Sequence, residues 1–221
     1  MHNFVGMTVY AAALAAVVSL CACVGGESAV QFEEKEYETP KLHASVWSVS
    51  FPGIADESFA LSLEEGYKEE QIEFLSEAEE RAAELAGQAR AVQKHRVEFE
   101  SDKWCSIVTD TELDTGSVIS RRSAKTIDLE NKKEVNLEDL YLSEDAGSFL
   151  EQRLAEETAT AEYSQLWKKP QIEEGQDFYL SKNALVLVYQ PYELSYYEKG
   201  VVEIRLPYQK LRGYIKVPVE E

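Results

Sequence analysis

Ala184-Leu185-Val186-Leu187-Val188-Tyr189, then Gln190-Pro191-Tyr192, then Val201-Val202-Glu203-Ile204-Arg205-Leu206-Pro207: this stretch decides the fold. The first run is apolar at every position, so it reads as a strand covered on both faces. Gln190-Pro191-Tyr192 breaks it, and Glu193 to Tyr197 follows as a polar, tyrosine-rich connection. Lys199-Gly200 turns the chain into the second run, which Pro207 ends because proline cannot donate to a ladder. The whole segment from Phe178 to Ile215 is therefore a hairpin that needs cover, and the rest of the chain has to supply it.

Working outward, Asp56 opens a stretch of helical spacing. Phe59, Leu63, Tyr67, Phe74, Ala78, Ala82, Leu85, Ala89 and Val92 recur at intervals that form one stripe, which predicts a long helix. Asp56 or Ser58 suits its start, and Lys94, His95 and Arg96 suit its negative end. Before it, Leu42 to Phe51 alternates as a strand, and Pro52-Gly53 is a turn. After it, Val97 to Phe99 and Trp104 to Thr109 read as paired strands, Asp110 to Gly116 as an acidic loop, and Ser117 to Ile127 as a further strand. Val135 to Leu142 leads into a second helix with Phe149, Leu150, Leu154 and Ala155 on its inner side. The order predicts an α+β fold, a mostly antiparallel sheet covered by one long and one shorter helix. A first module at 41–96 and a second at 97–221 are expected to share one continuous sheet.

The chain has 221 residues and a net charge of -19, from 41 acidic and 22 basic residues. Such a balance argues against nucleic acid and anionic lipid surfaces, and favours cationic partners. The N-terminal Phe4 to Gly26 has no charged residue, and Leu20-Cys21-Ala22-Cys23 resembles a bacterial lipobox. On that reading residues 1–23 are a signal peptide ending at an acylated Cys23, and 24–40 is an acidic flexible linker. The segment lacks the Lys or Arg usual at the start of a signal peptide, and it is long enough to be an uncleaved anchor. Plain secretion is the third alternative. All three place the domain outside the cytoplasm, on the extracytoplasmic face of the membrane in the lipid-anchored case. The folded part then keeps a single cysteine, Cys105, with no histidine near it in sequence, which reads as a buried structural thiol.

Patterns that carry chemistry are absent from the sequence. There is no spaced Cys/His set, no nucleophile elbow and no phosphate-cradling glycine loop, and His43 reads as a strand residue. Asp110-Thr111-Glu112-Leu113-Asp114 superficially suggests a calcium loop, but Thr115 and Arg121 stand where an EF-hand needs glycine and glutamate. The chain is therefore expected to be no enzyme and to use no cofactor or metal. The residues singled out for partner binding are Asp110, Glu112 and Asp114 in the acidic loop, and Tyr192, Glu193, Tyr196 and Tyr197 in the connection. Tyrosine gives large contact area at low entropic cost, and its ring can also stack on a sugar.

Phe178-Tyr179-Leu180, the Ala184 to Leu194 run with its Pro-Tyr-Glu, Gly200, and Ile204-Arg205-Leu206-Pro207-Tyr208 together resemble the closing motif of RsiV-like extracytoplasmic domains. Ser106-Ile107-Val108, Ile127-Asp128-Leu129 and Val135-Asn136-Leu137-Glu138-Asp139-Leu140-Tyr141 are similar to stretches upstream of that motif. Trp47 to Leu75 is more loosely similar to the small module that precedes it. The resemblance implies a binding domain, because the family includes lysozyme-sensing ectodomains of anti-sigma receptors and modules beside cell-wall polysaccharide deacetylases. A Gly-Gly-Ala-His loop common in the family is replaced here by Asp114-Thr115-Gly116-Ser117-Val118-Ile119, with no histidine. Three readings stay open: a module for a cationic protein such as lysozyme, a module for peptidoglycan or another saccharide, and a hydrolase with an unrecognised carboxylate pair.

Overall fold

In the strand Ala184–Tyr189 every residue is buried, and the two sets of alternate side chains enter two different cores. Ala184, Val186 and Val188 pack with Val108 and Tyr179, whereas Leu185, Leu187 and Tyr189 join Leu150, Leu154 and Ile204. A strand's side chains alternate between faces, so an unbroken apolar run is what a strand between two layers requires.

The computed structural model describes residues 28–196, 200–216 and 218. Among them, nine strands are β1 (Gln31–Glu38), β2 (Leu42–Ser50), β3 (Ala89–Glu100), β4 (Trp104–Asp114), β5 (Val118–Asp128), β6 (Lys133–Val135), β7 (Phe178–Leu180), β8 (Ala184–Tyr189) and β9 (Val202–Pro207). The helices are α1 (Glu57–Ala83) and α2 (Ala146–Thr158), joined by short 3-10 turns elsewhere. Strands β1 to β6 hydrogen-bond in sequence order in one sheet, and β7-β8-β9 form a second. The fold is α+β, and pairing is antiparallel at β1–β2, β5–β6, β7–β8 and β8–β9. The exception is β2–β3, which is parallel and is bridged by α1, the crossover that a parallel pair needs.

The chain divides into two units, the first running through Lys94 and including Glu112–Ile119, the second holding His95–Thr111 and everything from Ser120 on. In the first, α1 lies on β2 and buries Ala60, Leu63, Tyr67, Ala78 and Ala82. Asp56 caps the helix by accepting from Phe59 N at 3.1 Å. Glu64 accepts from Phe51 N at 3.0 Å and Gln71 donates to Trp47 O at 3.2 Å, so the helix also satisfies backbone at the end of β2. The turn after Phe51 uses Gly53 because a Cβ there would lie 2.6 Å from Ala29 Cα. In the second unit, α2 packs its Leu150 and Leu154 against β9 and the odd-numbered face of β8.

Several expectations need correction. Residues 31–38, expected within the 24–40 linker, form β1, with Phe32 buried and Glu34 accepting from Ser45 Oγ at 2.6 Å. The helix ends at Ala83, and Ala89 and Val92 belong to β3. There Ala89, Ala91, Gln93 and His95 are buried at every second position, a strand period that overrides the accidental helical spacing. His95 therefore does not complement a helix end; its Nδ1 lies 2.9 Å from Thr109 Oγ1. The loop expected at 110–116 is strand as far as Asp114. The hairpin, with β7, forms a sheet separate from β1–β6, so the expected single continuous sheet is two. The residues expected to form a signal peptide and lipobox, Cys23 among them, lie outside the described residues, among which no helix is long and apolar enough to cross a membrane.

Three tyrosines of the second unit make the fold sensitive to alkali. Burial raises the phenol pKa of Tyr179, Tyr189 and Tyr208 well above its usual value, with help from the Glu203 carboxylate at Tyr179 and from Glu193 and Glu173 at Tyr189. Their hydroxyls donate to Glu203 Oε1, Gln171 O and Ser181 O at 2.8, 2.9 and 2.8 Å. A raised pKa means that this contribution is complete below the unfolded value, near pH 10, and is lost as pH rises toward the folded values. In an alkaline titration, tyrosinate absorbance from these three should appear only together with loss of circular dichroism. Complete, reversible ionisation of all 12 tyrosines with the fold intact would contradict this.

Candidate functional site

The sheet strands of the second unit bring five charged groups together. Arg122 on β5 donates through Nε to Asp110 Oδ1 at 2.6 Å and through an η nitrogen to Glu203 Oε1 on β9 at 2.8 Å. Arg96 pairs with the other oxygen of Asp110 and donates to Glu98 Oε1 at 2.5 Å. Burial alone would lower the pKa of Arg122, but hydrogen bonds and charge from Asp110 and Glu203 outweigh it and raise the value. The planar guanidinium suits this place because one fork can serve two carboxylates. Gln190, at the end of β8, closes the arrangement by exchanging two bonds with the Arg122 backbone, at 2.6 and 3.1 Å. Each carboxylate of the cluster accepts from a guanidinium, and Glu203 also from the Tyr179 hydroxyl, so the cluster ties β3, β4, β5 and β9 together.

The connection after β8 presents aromatic rings to solvent. Glu193 N donates to Gln190 O at 3.1 Å, closing a turn whose third residue, Tyr192, has φ +73°. Glycine ordinarily takes such a position, and a bulky residue there carries strain of order 1 kcal/mol. Tyr192 is 59% exposed and Tyr196 65%. The Tyr196 ring lies 4.8 Å from the indole of Trp167, tilted by 58°, and Trp167 is itself 53% exposed. Trp167 N donates to Leu194 O at 3.0 Å, which ties the segment after α2 to this connection. Beside the indole is an open groove of about 350 Å³ lined by Thr158, Tyr163, Leu166, Lys168, Lys169 and Pro170, among others.

In the first unit, α1 carries nine glutamates against Lys68 and Arg81. Leu61 and Ile72 are 52% and 56% exposed on it. They stand 11 residues apart, close to three turns, and so share one face. Glu65, Glu69, Ser76 and Glu79 follow the same stripe and are exposed, and the exposed Lys68, seven residues after Leu61 and four before Ile72, lies on it between the two. The face is thus a pair of aliphatic side chains set among carboxylates and one lysine, opposite the stripe that buries Leu63, Tyr67 and Ala78.

The residues singled out from sequence are spread over both units. Asp110 belongs to the charged cluster, with both oxygens paired, while Glu112 is exposed and Asp114 half-buried at the end of β4. Tyr192, Glu193 and Tyr196 are exposed in the connection, and Tyr197 lies outside the described residues. Glu193 Oε2 accepts from Gln190 N at 2.7 Å, so it shapes the turn. Sequence reasoning missed Trp167, Lys168 and Lys169, Arg122 with Glu203, and the Leu61–Ile72 face. Trp167-Lys168-Lys169-Pro170 could have been noticed as a basic, aromatic patch in an acidic chain. No local signal links Arg122 to Glu203. Among the described residues, no group of three His, Cys, Asp or Glu side chains is placed to hold a metal ion.

The model of a family described as a protein of unknown function, DUF3298, matches residues 121–209, from within β5 to just past β9, including Arg122, Gln190 and Glu203. No curated protein matches the chain. Among solved structures, a DUF3298 family protein from Pseudomonas aeruginosa PAO1 is similar over 86% of this chain and 97% of its own, at 15% identity and a TM-score of 0.67. A member of the same family from Bacteroides fragilis is similar over 85% of this chain and 94% of its own, at 17% identity and a TM-score of 0.59. Identities this low speak to the fold.

Proposed function

We propose that the chain is a non-catalytic binding module of the cell envelope, anchored by acyl chains on Cys23, that captures a cationic protein on the exposed face of α1. The observation that carries this is the Leu61–Ile72 pair in its frame of glutamates. Interfaces concentrate affinity in a few apolar anchors and leave charges at the rim, where they speed encounter and choose partners. With a net charge of -19, the partner that fits is basic. The resemblance to RsiV-like domains, some of which sense lysozyme, makes lysozyme the natural probe. Lipid anchoring rests on the Leu20-Cys21-Ala22-Cys23 motif, and the non-catalytic reading on a sequence without nucleophile-elbow, metal-ligand or phosphate-loop patterns.

Calorimetric titration with hen lysozyme at low and physiological salt tests the reading. Binding should weaken as salt rises, because charges beyond ~8 Å are screened at physiological ionic strength. The triple variant Glu65→Lys, Glu69→Lys, Glu79→Lys should bind at least about tenfold more weakly at low salt, by charge repulsion at the rim. No heat of binding at either salt, or equal affinity in the variant, would overturn it. A saccharide reading is favoured by a different observation, the exposed Trp167–Tyr196 pair.

A further inference from the structure

We infer that the groove beside Trp167 is a second binding site, for a carboxylate-bearing saccharide. Its aromatic wall is the indole of Trp167, more than half exposed and set against Tyr196 at 4.8 Å. Large rings are usually covered, and adjacent exposed rings mark a contact surface. A pyranose presents a flat face of C–H bonds that matches such a ring, whereas its hydroxyl edge stays in water. The groove, about 350 Å³, is at the small end of ligand sites and admits one or two sugar rings.

Charge selects the kind of sugar. Lys168 and Lys169 both line the groove of a chain with a net charge of -19. Lys168 Nζ lies 3.9 Å from Glu173, at the limit of an ion pair, and both side chains are largely exposed. Lys169 is exposed and has no ion-pair partner among the described residues. Two ammonium side chains lining the same groove as the indole are complementary to a ring that carries a carboxylate, and a flexible lysine stem adapts to its position. Pro170 is buried directly after them and Trp167 N is bonded to Leu194 O, so the backbone that presents these side chains is held in place. This site lies wholly in the second unit and does not depend on the proposed role of α1.

The full chain in detergent is titrated with a hyaluronan tetrasaccharide, which alternates glucuronate and N-acetylglucosamine, and with chitotetraose, its uncharged counterpart. Poly-glutamate supplies the carboxylates without the ring. The charged sugar should quench indole fluorescence on binding, and by calorimetry, which also reads the variants that lack Trp167, chitotetraose and poly-glutamate should each bind at least tenfold more weakly. Lys168→Ala with Lys169→Ala should raise the Kd for the charged sugar at least tenfold, and Trp167→Ala should abolish binding. Trp167→Phe should keep part of it, with thermal unfolding unchanged in all three variants. No binding of the charged sugar, equal affinity for chitotetraose or poly-glutamate, or full binding by the lysine or alanine variants would overturn the inference. Lysozyme titration of the same variants should be unchanged, so failure of this site and failure of the α1 face read out separately.

Discussion

Truncating Leu187 to alanine is expected to lower stability by about 3 kcal/mol, the middle of the range for removing a fully buried leucine. Leu187 is fully buried and lies on the face of β8 that meets α2, within the core formed by Leu150, Leu154, Ile204 and Leu206. It pairs with Phe178 on β7 and Ile204 on β9, so the cavity would open at the centre of the sheet, where neighbours on both sides resist collapse. Leu187→Met keeps the volume and should cost less than about 1.5 kcal/mol. Urea unfolding followed by circular dichroism separates the two. An alanine variant within ~1 kcal/mol of the parent would mean that this core is far looser than the packing implies.

Arg122→Met is the next largest effect, expected at about 2 kcal/mol. Removing one partner of a fully buried ion pair costs ~3–5 kcal/mol, and the side chains here keep roughly a quarter of their exposure, so the figure is discounted. Asp110 would retain Arg96, but Glu203 would keep only the Tyr179 hydroxyl and its remaining contact with water. Arg122→Lys should recover only part of the loss, because a single ammonium cannot reproduce a fork that reaches two carboxylates on different strands. A double-mutant cycle of Arg122→Met with Glu203→Gln should give a coupling of about 1 kcal/mol. Coupling near zero, or a methionine variant as stable as the parent, would show the cluster to be incidental.

What could be read in advance followed from local pattern. The β8–β9 hairpin was legible because burial on both faces writes an unbroken apolar run, and the second helix because Leu150 and Leu154 keep helical spacing. The strand β1 was not, because an edge strand with one buried ring, Phe32, and four glutamates has the composition of a linker. Charge on an edge is also what discourages pairing with other chains. The end of α1 was obscured by Leu85, Ala89 and Val92, which continue its spacing by accident although the backbone has already left the helix. The site was harder still. Arg122 and Glu203 are 81 residues apart in sequence, and only the meeting of β5 and β9 side chains joins them. Tyr192 and Tyr196 could be picked out because tyrosines are dense there, but their neighbour Trp167 arrives from another segment. The Leu61–Ile72 face emerges only when exposure is known, since a helix rich in alanine and glutamate offers several stripes that its sheet could have covered.

The capture of a basic protein by that face is tested most directly by replacing its two anchors and leaving its charge alone. Leu61→Ser with Ile72→Ser changes side chains that are already more than half exposed, so the fold should be kept and thermal unfolding should move little. The quantity to measure is the Kd for hen lysozyme at physiological salt, where long-range attraction is screened and the apolar contact decides. Affinity should fall at least about tenfold, from two anchors each contributing ~1 kcal/mol or more. An unchanged Kd in a folded double variant would contradict it.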